Sequence, residues 1–472
     1  MKSIRQGFNP YLPSWEYIPD GEPHVFGDRV YLYGSHDQFG GHVFCLNDYV
    51  CWSAPVTDLR DWRCEGVSYR KTDDPLNADG RMCLFAPDVT QGPDGRYYLY
   101  YCLDKASVVS VASAPAPMGP FQFYGYVHDK SGNRLGERPG DEGPFDPAVL
   151  TEGQRTYLYT GFCASGDRTR TGSRVTVLGP DMVTVETEPT TVVPSEPFAG
   201  GTRYEGHEFF EASSIRKRGS TYYFVYSSIV MHELCYATSS EPTRGFRYGG
   251  VVVSNADLGI DTYKPAHRPM AYAGNNHGSI VEIEGTWYVF YHRQTDGTFF
   301  SRQGCLEALE FRTDGTIVQA EMTSRGPNGG PLEGTGEYPG YLACHLYCRE
   351  ERLYTAMTAW MDNRFPKITQ DGKDGDPEIG YVANMMDSAT AGFKDFRLSG
   401  IRRVSIRVRG YCRGAFEIRT AWDGPSHGQI AVEFTNVWTK YQADIALPDG
   451  VHSLYFTYVG EGRASLASFT LE

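Results

Sequence analysis

Five residues that can carry or share a proton recur in one kind of setting along this chain. Glu22 stands before Pro23-His24-Val25-Phe26, Asp88 before Val89-Thr90, and Asp146 before Pro147-Ala148-Val149-Leu150. Glu211 stands before Ala212-Ser213-Ser214-Ile215, and His277 before Gly278-Ser279-Ile280-Val281. Each opens a short strand-like run, and a turn glycine follows 5, 7, 7, 8 and 8 positions later. A single acid at a strand start is ordinarily a solvated edge residue. Four acids brought to one place beside a histidine repel one another and lose solvation, which drives their pKa values apart. Such a cluster serves acid–base chemistry or holds a cation. A protonated carboxyl beside an ionised one can give a proton to a leaving oxygen while the other activates a water.

Something must bring residues so far apart in sequence together. The turn glycines Gly27, Gly95, Gly153, Gly219 and Gly285 each lead into a Tyr-rich strand, such as Arg29-Val30-Tyr31-Leu32-Tyr33 or Thr286-Trp287-Tyr288-Val289-Phe290-Tyr291. The glycines are 58 to 68 residues apart, room for four short strands and their loops. Radially repeated four-stranded units make a β-propeller. Five copies predict an all-β, five-bladed propeller, with the first strand of each blade against the central channel. A sandwich with fortuitously Tyr-rich strands is the alternative.

The 472 residues exceed one ordinary core, so two domains are expected. Hydrophobic residues make up 40%, enough to fold, and aromatics 14%, suited to strands and to stacking on rings. The net charge of −14 argues against nucleic acid or an anionic membrane as partner. No run approaches a membrane span. Residues 1–10 lead into no apolar h-region, and the 11 scattered cysteines suit a reducing compartment, so cytoplasmic residence is expected. Cys344 and Cys348, with His345 between them, lack a second ligand pair and are not read as a zinc site.

The ordered motifs Asn9-Pro10-Tyr11-Leu12-Pro13, Glu22-Pro23, Ala86-Pro87-Asp88-Val89, Phe145-Asp146-Pro147, Phe210-Glu211-Ala212 and Asn276-His277-Gly278-Ser279 resemble those of glycoside hydrolase family 43. The resemblance spans roughly residues 8–320. It implies an inverting, exo-acting hydrolase on a five-bladed propeller, releasing L-arabinofuranose or D-xylose from plant cell-wall oligosaccharides. By that resemblance Glu211 is the general acid and Asp146 the residue that tunes and orients it. The family's base is an Asp-Pro in the first blade; here Glu22-Pro23 takes that place, with Asp20 as the alternative. Glu22 is preferred because it matches Asp146-Pro147 and the Gly27-Asp28 turn looks shortened. Arg302 and Asp88 are expected to bind substrate, and His277 to lie beneath the sugar, where it helps hold a water or a metal. His36-Asp37 and Trp15 are further candidates for the channel mouth. No cofactor is required on this reading, and a structural calcium or other cation in the channel is an option. Two alternatives stand beside it. One is a related retaining fructan or sucrose hydrolase, whose Asn-Asp-Pro-Asn motif is absent here. The other is a sugar-binding propeller without catalysis.

The Gly/Pro-rich stretch 324–342 reads as a linker between a catalytic domain at 1–323 and a second domain at 343–472. Val404-Ser405-Ile406-Arg407-Val408, Phe416-Glu417-Ile418, Ile430-Ala431-Val432-Glu433-Phe434 and Leu454-Tyr455-Phe456-Thr457-Tyr458 have the period-two pattern of a β-sandwich, jelly-roll-like. The run from Trp438 to Phe456 resembles carbohydrate-binding module family 6. That implies Trp422 or Trp438 as a sugar platform, with a core role as the alternative. Oligomeric state is left open.

Overall fold

The computed structural model describes residues 7–348 and 365–472. Residues 1–6, which carry most of the expected N-terminal export reading, lie outside the described residues. The chain is all-β, apart from short helical turns. Its first part forms five consecutive antiparallel sheets. Sheet one holds β1 (Glu22–Phe26), β2 (Arg29–Tyr33), β3 (Tyr49–Pro55) and β4 (Arg63–Tyr69). Sheet two holds β5 (Leu84–Gln91), β6 (Tyr97–Leu103), β7 (Ser110–Ala114) and β8 (Gln122–Tyr126). Sheet three holds β9 (Ala148–Glu152), β10 (Arg155–Thr160), β11 (Gly172–Leu178) and β12 (Thr190–Pro194). Sheet four holds β13 (Phe209–Arg218), β14 (Thr221–Ser228), β15 (Glu233–Ser239) and β16 (Arg247–Ser254). Sheet five has three strands, β17 (Ser279–Ile283), β18 (Thr286–Gln294) and β19 (Arg302–Ala308).

The first strands neighbour one another in a closed cycle. β1 lies beside β5, β5 beside β9, β9 beside β13, β13 beside β17, and β17 beside β1. Gly21 and Gly278 form a parallel bridge where the cycle closes. The N-terminal segment supplies the edge that a fourth strand of sheet five would have occupied. Tyr11 N–H donates to the Gly304 carbonyl at 3.2 Å, and Asn9 exchanges two side-chain bonds of 2.9 Å with the backbone of Leu306.

The Tyr-rich second strands are nearly continuous apolar runs because each sheet is covered on both faces. Alternate side chains serve opposite neighbours. Leu99 and Tyr101 pack toward sheet one with Tyr31 and Tyr33. Tyr98, Tyr100 and Cys102 pack toward sheet three with Val149 and Leu158. The same division recurs between sheets three and four, four and five, and five and one. Full burial of each such side chain contributes roughly 1.5–3 kcal/mol.

Among the described residues, the remaining strands form two further sheets, each of six strands. One is built on Thr390–Leu398, Gly450–Gly462, Cys412–Arg419 and Gly428–Val432, the other on Ala464–Leu471, Arg403–Gly410 and Thr435–Asp444. Their facing sides share one core that includes Phe393, Phe396, Phe456 and Phe469. The stretch expected to be a linker does more than connect. Leu332–Glu333 pairs with Thr390–Leu398, and Gly336–Pro339 with Ala464–Leu471. Glycine and proline marked a break in periodicity there, but the short runs between them bury Leu332 and Tyr338 in that core.

Candidate functional site

The ends of several first strands and the loops beyond them enclose a cavity of about 780 Å³. Asp20, Asp146, Glu211, His277 and Arg302 line it, within a wall of Phe44, Phe85, Phe145, Phe162, Phe210, Phe299 and Phe300. Asp20 and Asp146 sit just before β1 and β9, and both hold a positive φ, 59° and 44°. Such a backbone costs a non-glycine residue of order 1–3 kcal/mol, which the surrounding structure must offset. Both precede their turn glycine by seven positions, and both hairpins have the same two-residue turn, with Phe26 opposite Arg29 and Glu152 opposite Arg155. The turn at Gly27 is therefore not shortened, and Asp20 is the counterpart of Asp146.

Arg302 organises the acids. Its Nε and Nη2 donate to the two oxygens of Asp37 at 2.8 and 2.9 Å, a bidentate pair, while Nη1 donates to Asp20 Oδ1 at 2.9 Å. Phe44 covers the guanidinium, 4.8 Å from its ring centre. Asp20 N–H donates to His292 Nδ1 at 3.2 Å, and His292 Nε2 is 2.8 Å from the Asn275 carbonyl. Burial alone would raise the Asp20 carboxyl, but above all the Arg302 guanidinium, with the adjoining His292 and His277, holds it well below the usual carboxylate range.

Glu211 goes the other way. Burial and the Asp20 charge outweigh Arg302 and push it up to about 8. Asp146 is also raised well above its ordinary value, by burial, then by Glu211 and Asp20. The Ala212 N–H donates to Asp146 Oδ2 at 3.0 Å, tying it to the chain beside Glu211. His277 Nδ1 lies 3.6 Å from Asp146 Oδ2 and 3.8 Å from Asp20 Oδ1. Burial pushes its imidazole down to about 4, so it is neutral near pH 7. One cavity thus holds one carboxyl group pushed below its ordinary pKa and two pushed above theirs.

Two of the expected residues lie elsewhere. Glu22, 1% exposed, is outside the cavity lining, and its Oε2 accepts from Arg216 Nη2 at 2.6 Å. Glu22 lies two positions after Asp20, so it sits further along the chain and in a deeper layer. Asp88 belongs to that layer too. It contacts His24 Nε2 at 2.6 Å and accepts the Val89 and Val149 N–H groups, each at 2.7 Å, joining sheets two and three. The five residues read as one ring therefore form two layers.

Glu22, His24 and Asp88 offer donor atoms within 4.8 Å of one another, as a channel cation would need. They do not fit a divalent ion there, because Arg216 already supplies the positive charge. His277 belongs to no such three-donor group among the described residues.

Residues 17–317 match the family model described as glycosyl hydrolases family 43. The chain belongs to that family. It is a glycosidase. It is 69% identical over 468 residues to a xylosidase/arabinosidase of Thermoclostridium stercorarium, covering 99% of each chain. A solved β-xylosidase/α-arabinofuranosidase from a compost microbial metagenome, in complex with xylotriose, is 25% identical with a TM-score of 0.51, covering 67% of this chain and 97% of the other. An arabinoxylan arabinofuranohydrolase from Bacillus subtilis, at 21% identity and TM-score 0.52, shares the fold over 98% of this chain and 97% of its own.

Several residues of the glycosidase's cavity escaped the sequence reading. Phe44, Phe85, Phe162, Phe299 and Phe300 carry no spacing signal, and neither does His292, which stands behind the cavity against Asp20. Asp37 was only a marginal candidate, yet it grips Arg302. His36 instead contacts the Asp48 carbonyl at 2.9 Å, and neither it nor Trp15 lines the cavity. The available signal for the base was an offset of seven in hairpins of equal turn length, which Asp20 and Asp146 share; Asp88 has the offset but a longer turn, with Gln91 opposite Tyr97.

Proposed function

We propose that this glycosidase is an inverting, exo-acting enzyme that releases L-arabinofuranose or D-xylose from plant cell-wall-derived oligosaccharides. In this reading Glu211 is the general acid, Asp20 the general base, and Asp146 the group that orients Glu211, while burial and the Asp20 charge favour the protonated form of Glu211. Glu22, first choice by sequence, becomes a structural carboxylate. The observation that carries the assignment is the placement of Glu211, Asp146 and Asp20 in one cavity with Arg302 Nη1 bonded to Asp20 at 2.9 Å, which holds Asp20 below its ordinary range while burial pushes Glu211 above its own.

The chemistry follows from those states. Glu211 donates its proton to the glycosidic oxygen as the bond to the anomeric carbon breaks. Asp20 accepts a proton from a water that attacks the opposite face, so the anomeric configuration inverts. Arg302 keeps Asp20 ionised and fixes its direction through Asp37, with its remaining Nη1 hydrogen free for a sugar hydroxyl. The phenylalanine wall excludes water and offers faces to the sugar ring. Neither step calls on a cofactor.

The five cyclic sheets are best read as propeller blades, with residues 1–323 as the catalytic domain. The two six-stranded sheets are best read as a sandwich resembling carbohydrate-binding module family 6. Trp438, edge-on to Tyr381 at 5.2 Å with Arg409 over its ring, is the candidate sugar platform there. Cytoplasmic residence belongs to the same reading, supported by ten buried free cysteines.

Hydrolysis of aryl α-L-arabinofuranosides and aryl β-D-xylosides tests the activity, and NMR of the first-formed anomer tests inversion. A first product that retains the substrate's configuration would overturn the mechanism. No hydrolysis of either substrate would favour a sugar-binding protein.

A further inference from the structure

A second cluster of potential ligands lies outside the cavity. His207 is in the loop before β13, the strand that carries Glu211, and Glu233 and Cys235 are on β15. His207 Nδ1 is 2.6 Å from Glu233 Oε1, Cys235 Sγ is 3.3 Å from the same oxygen, and Sγ is 3.9 Å from Nδ1. An imidazole nitrogen, a carboxylate oxygen and a thiol sulfur thus form a triangle. Ligand atoms on two corners of a tetrahedral zinc site are about 3.4–3.6 Å apart, from metal–ligand bonds of about 2.0–2.3 Å. Two edges of the triangle straddle that length. The third is a hydrogen bond that would open by under about 1 Å when a metal replaces its proton.

The surroundings suit a ligand site better than a chance contact. Tyr248 stacks on the imidazole at 4.9 Å and 16°, which holds the ring plane, and Tyr226 donates to the His207 backbone carbonyl at 2.7 Å, which anchors the loop. Ser228 Oγ donates to Glu233 Oε1 at 2.6 Å, leaving a hydroxyl beside the fourth position. Glu233 and Cys235 are buried, but the His207 side chain is 36% exposed, so an ion has an entrance. A sulfur, nitrogen and oxygen set selects a borderline-soft ion over calcium or magnesium.

We propose that His207, Glu233 and Cys235 bind one zinc-like divalent transition metal, with a water or Ser228 at the fourth position. The ion would tie the loop before β13 to the start of β15. Met231, just ahead of β15, lines the cavity, so the tie would steady that wall near Glu211. The site stands apart from the hydrolytic reading and does not depend on it.

Cobalt(II) reports thiolate ligation by absorbance, so the apo protein should be titrated with Co²⁺ alone, then competed with Zn²⁺. One equivalent is expected to produce a sulfur-to-metal charge-transfer band that zinc abolishes. C235S should lose that band, and H207A should weaken binding at least about tenfold. Metal should raise Tm most in the wild type, less in H207A, and least in C235S. Far-UV circular dichroism of the metal-free variants checks their folding, and H207A, at a half-exposed position, keeps the test open if C235S misfolds. A wild type without the band, or a folded C235S that retains it, would overturn the proposal.

Discussion

Asp20 and Glu22 are two residues apart and have opposite surroundings. Asp20 meets Arg302 inside the cavity, whereas Glu22 meets Arg216 beneath it. D20N should therefore lower kcat by about 10²–10⁴, the usual worth of a positioned base. E22Q should keep kcat within about tenfold and register mainly as lower Tm. The reverse pattern in side-by-side kinetics and melting curves would return the base to Glu22. Glu211 gives a pH test with a definite sign. Its pKa is raised in the fold, so the folded protein holds the proton more tightly than the unfolded chain. That contribution is present below the ordinary value of 4.5 and is lost as pH rises toward about 8. E211Q removes the ionisation. It should cost about 10²–10⁴ in kcat while raising Tm relative to wild type at alkaline pH. The same Tm gain at pH 4 as at pH 9 would contradict the assignment. In the wild type, kcat/KM should fall as pH rises through about 8, as Glu211 loses its proton.

At the scale of elements, the repeat was legible because each second strand must serve two neighbours and so reads as a continuous apolar run. Strand existence followed from that pattern; strand register did not. A carboxylate two positions along a strand falls in another layer of the channel, and only hairpin geometry separates Asp20 from Glu22. Loops were less legible still. Asp37 reaches Arg302 from the 34–48 segment, and Phe299 and Phe300 reach the cavity from the turn between β18 and β19. Both segments are held from outside the cyclic sheets. Asp374 accepts from Phe39 N–H at 2.7 Å and Asn47 Nδ2 at 3.0 Å, and Lys367 pairs with Asp296 at 2.9 Å. D374A should let the Asp37 segment loosen its grip on Arg302. A placement error of about 1 Å costs on the order of 100-fold, so kcat/KM should drop by roughly 10–100-fold with little change in Tm. Unchanged kinetics would show that the segment holds its own shape.

The two halves of the molecule are joined by charge as well as by apolar packing. Asp257, 0% exposed, follows β16, and its Oδ2 lies 3.2 Å from His345 Nε2 and 3.8 Å from Lys394 Nζ, both from the C-terminal half. Lys394 also contacts Glu321 at 2.6 Å, and the buried Arg293 donates to the Ala343 carbonyl at 3.1 Å. Lys394 is held above its ordinary pKa despite burial, because Asp257 and Glu321 face it. Removing one member of a buried ion pair leaves the other charged and unmatched, at a cost of about 3–5 kcal/mol. Neither half can expose this contact without stranding charges, so the halves should melt together. Calorimetry of the whole chain should give one transition. K394M should lower its Tm, and because it removes the cation that faces both Asp257 and Glu321 across the junction, it should also begin to split the transition in two. Two transitions in the wild type would mean that the junction holds little of the stability, and that the C-terminal sheets steady Asp37 and Asp296 only through their local contacts.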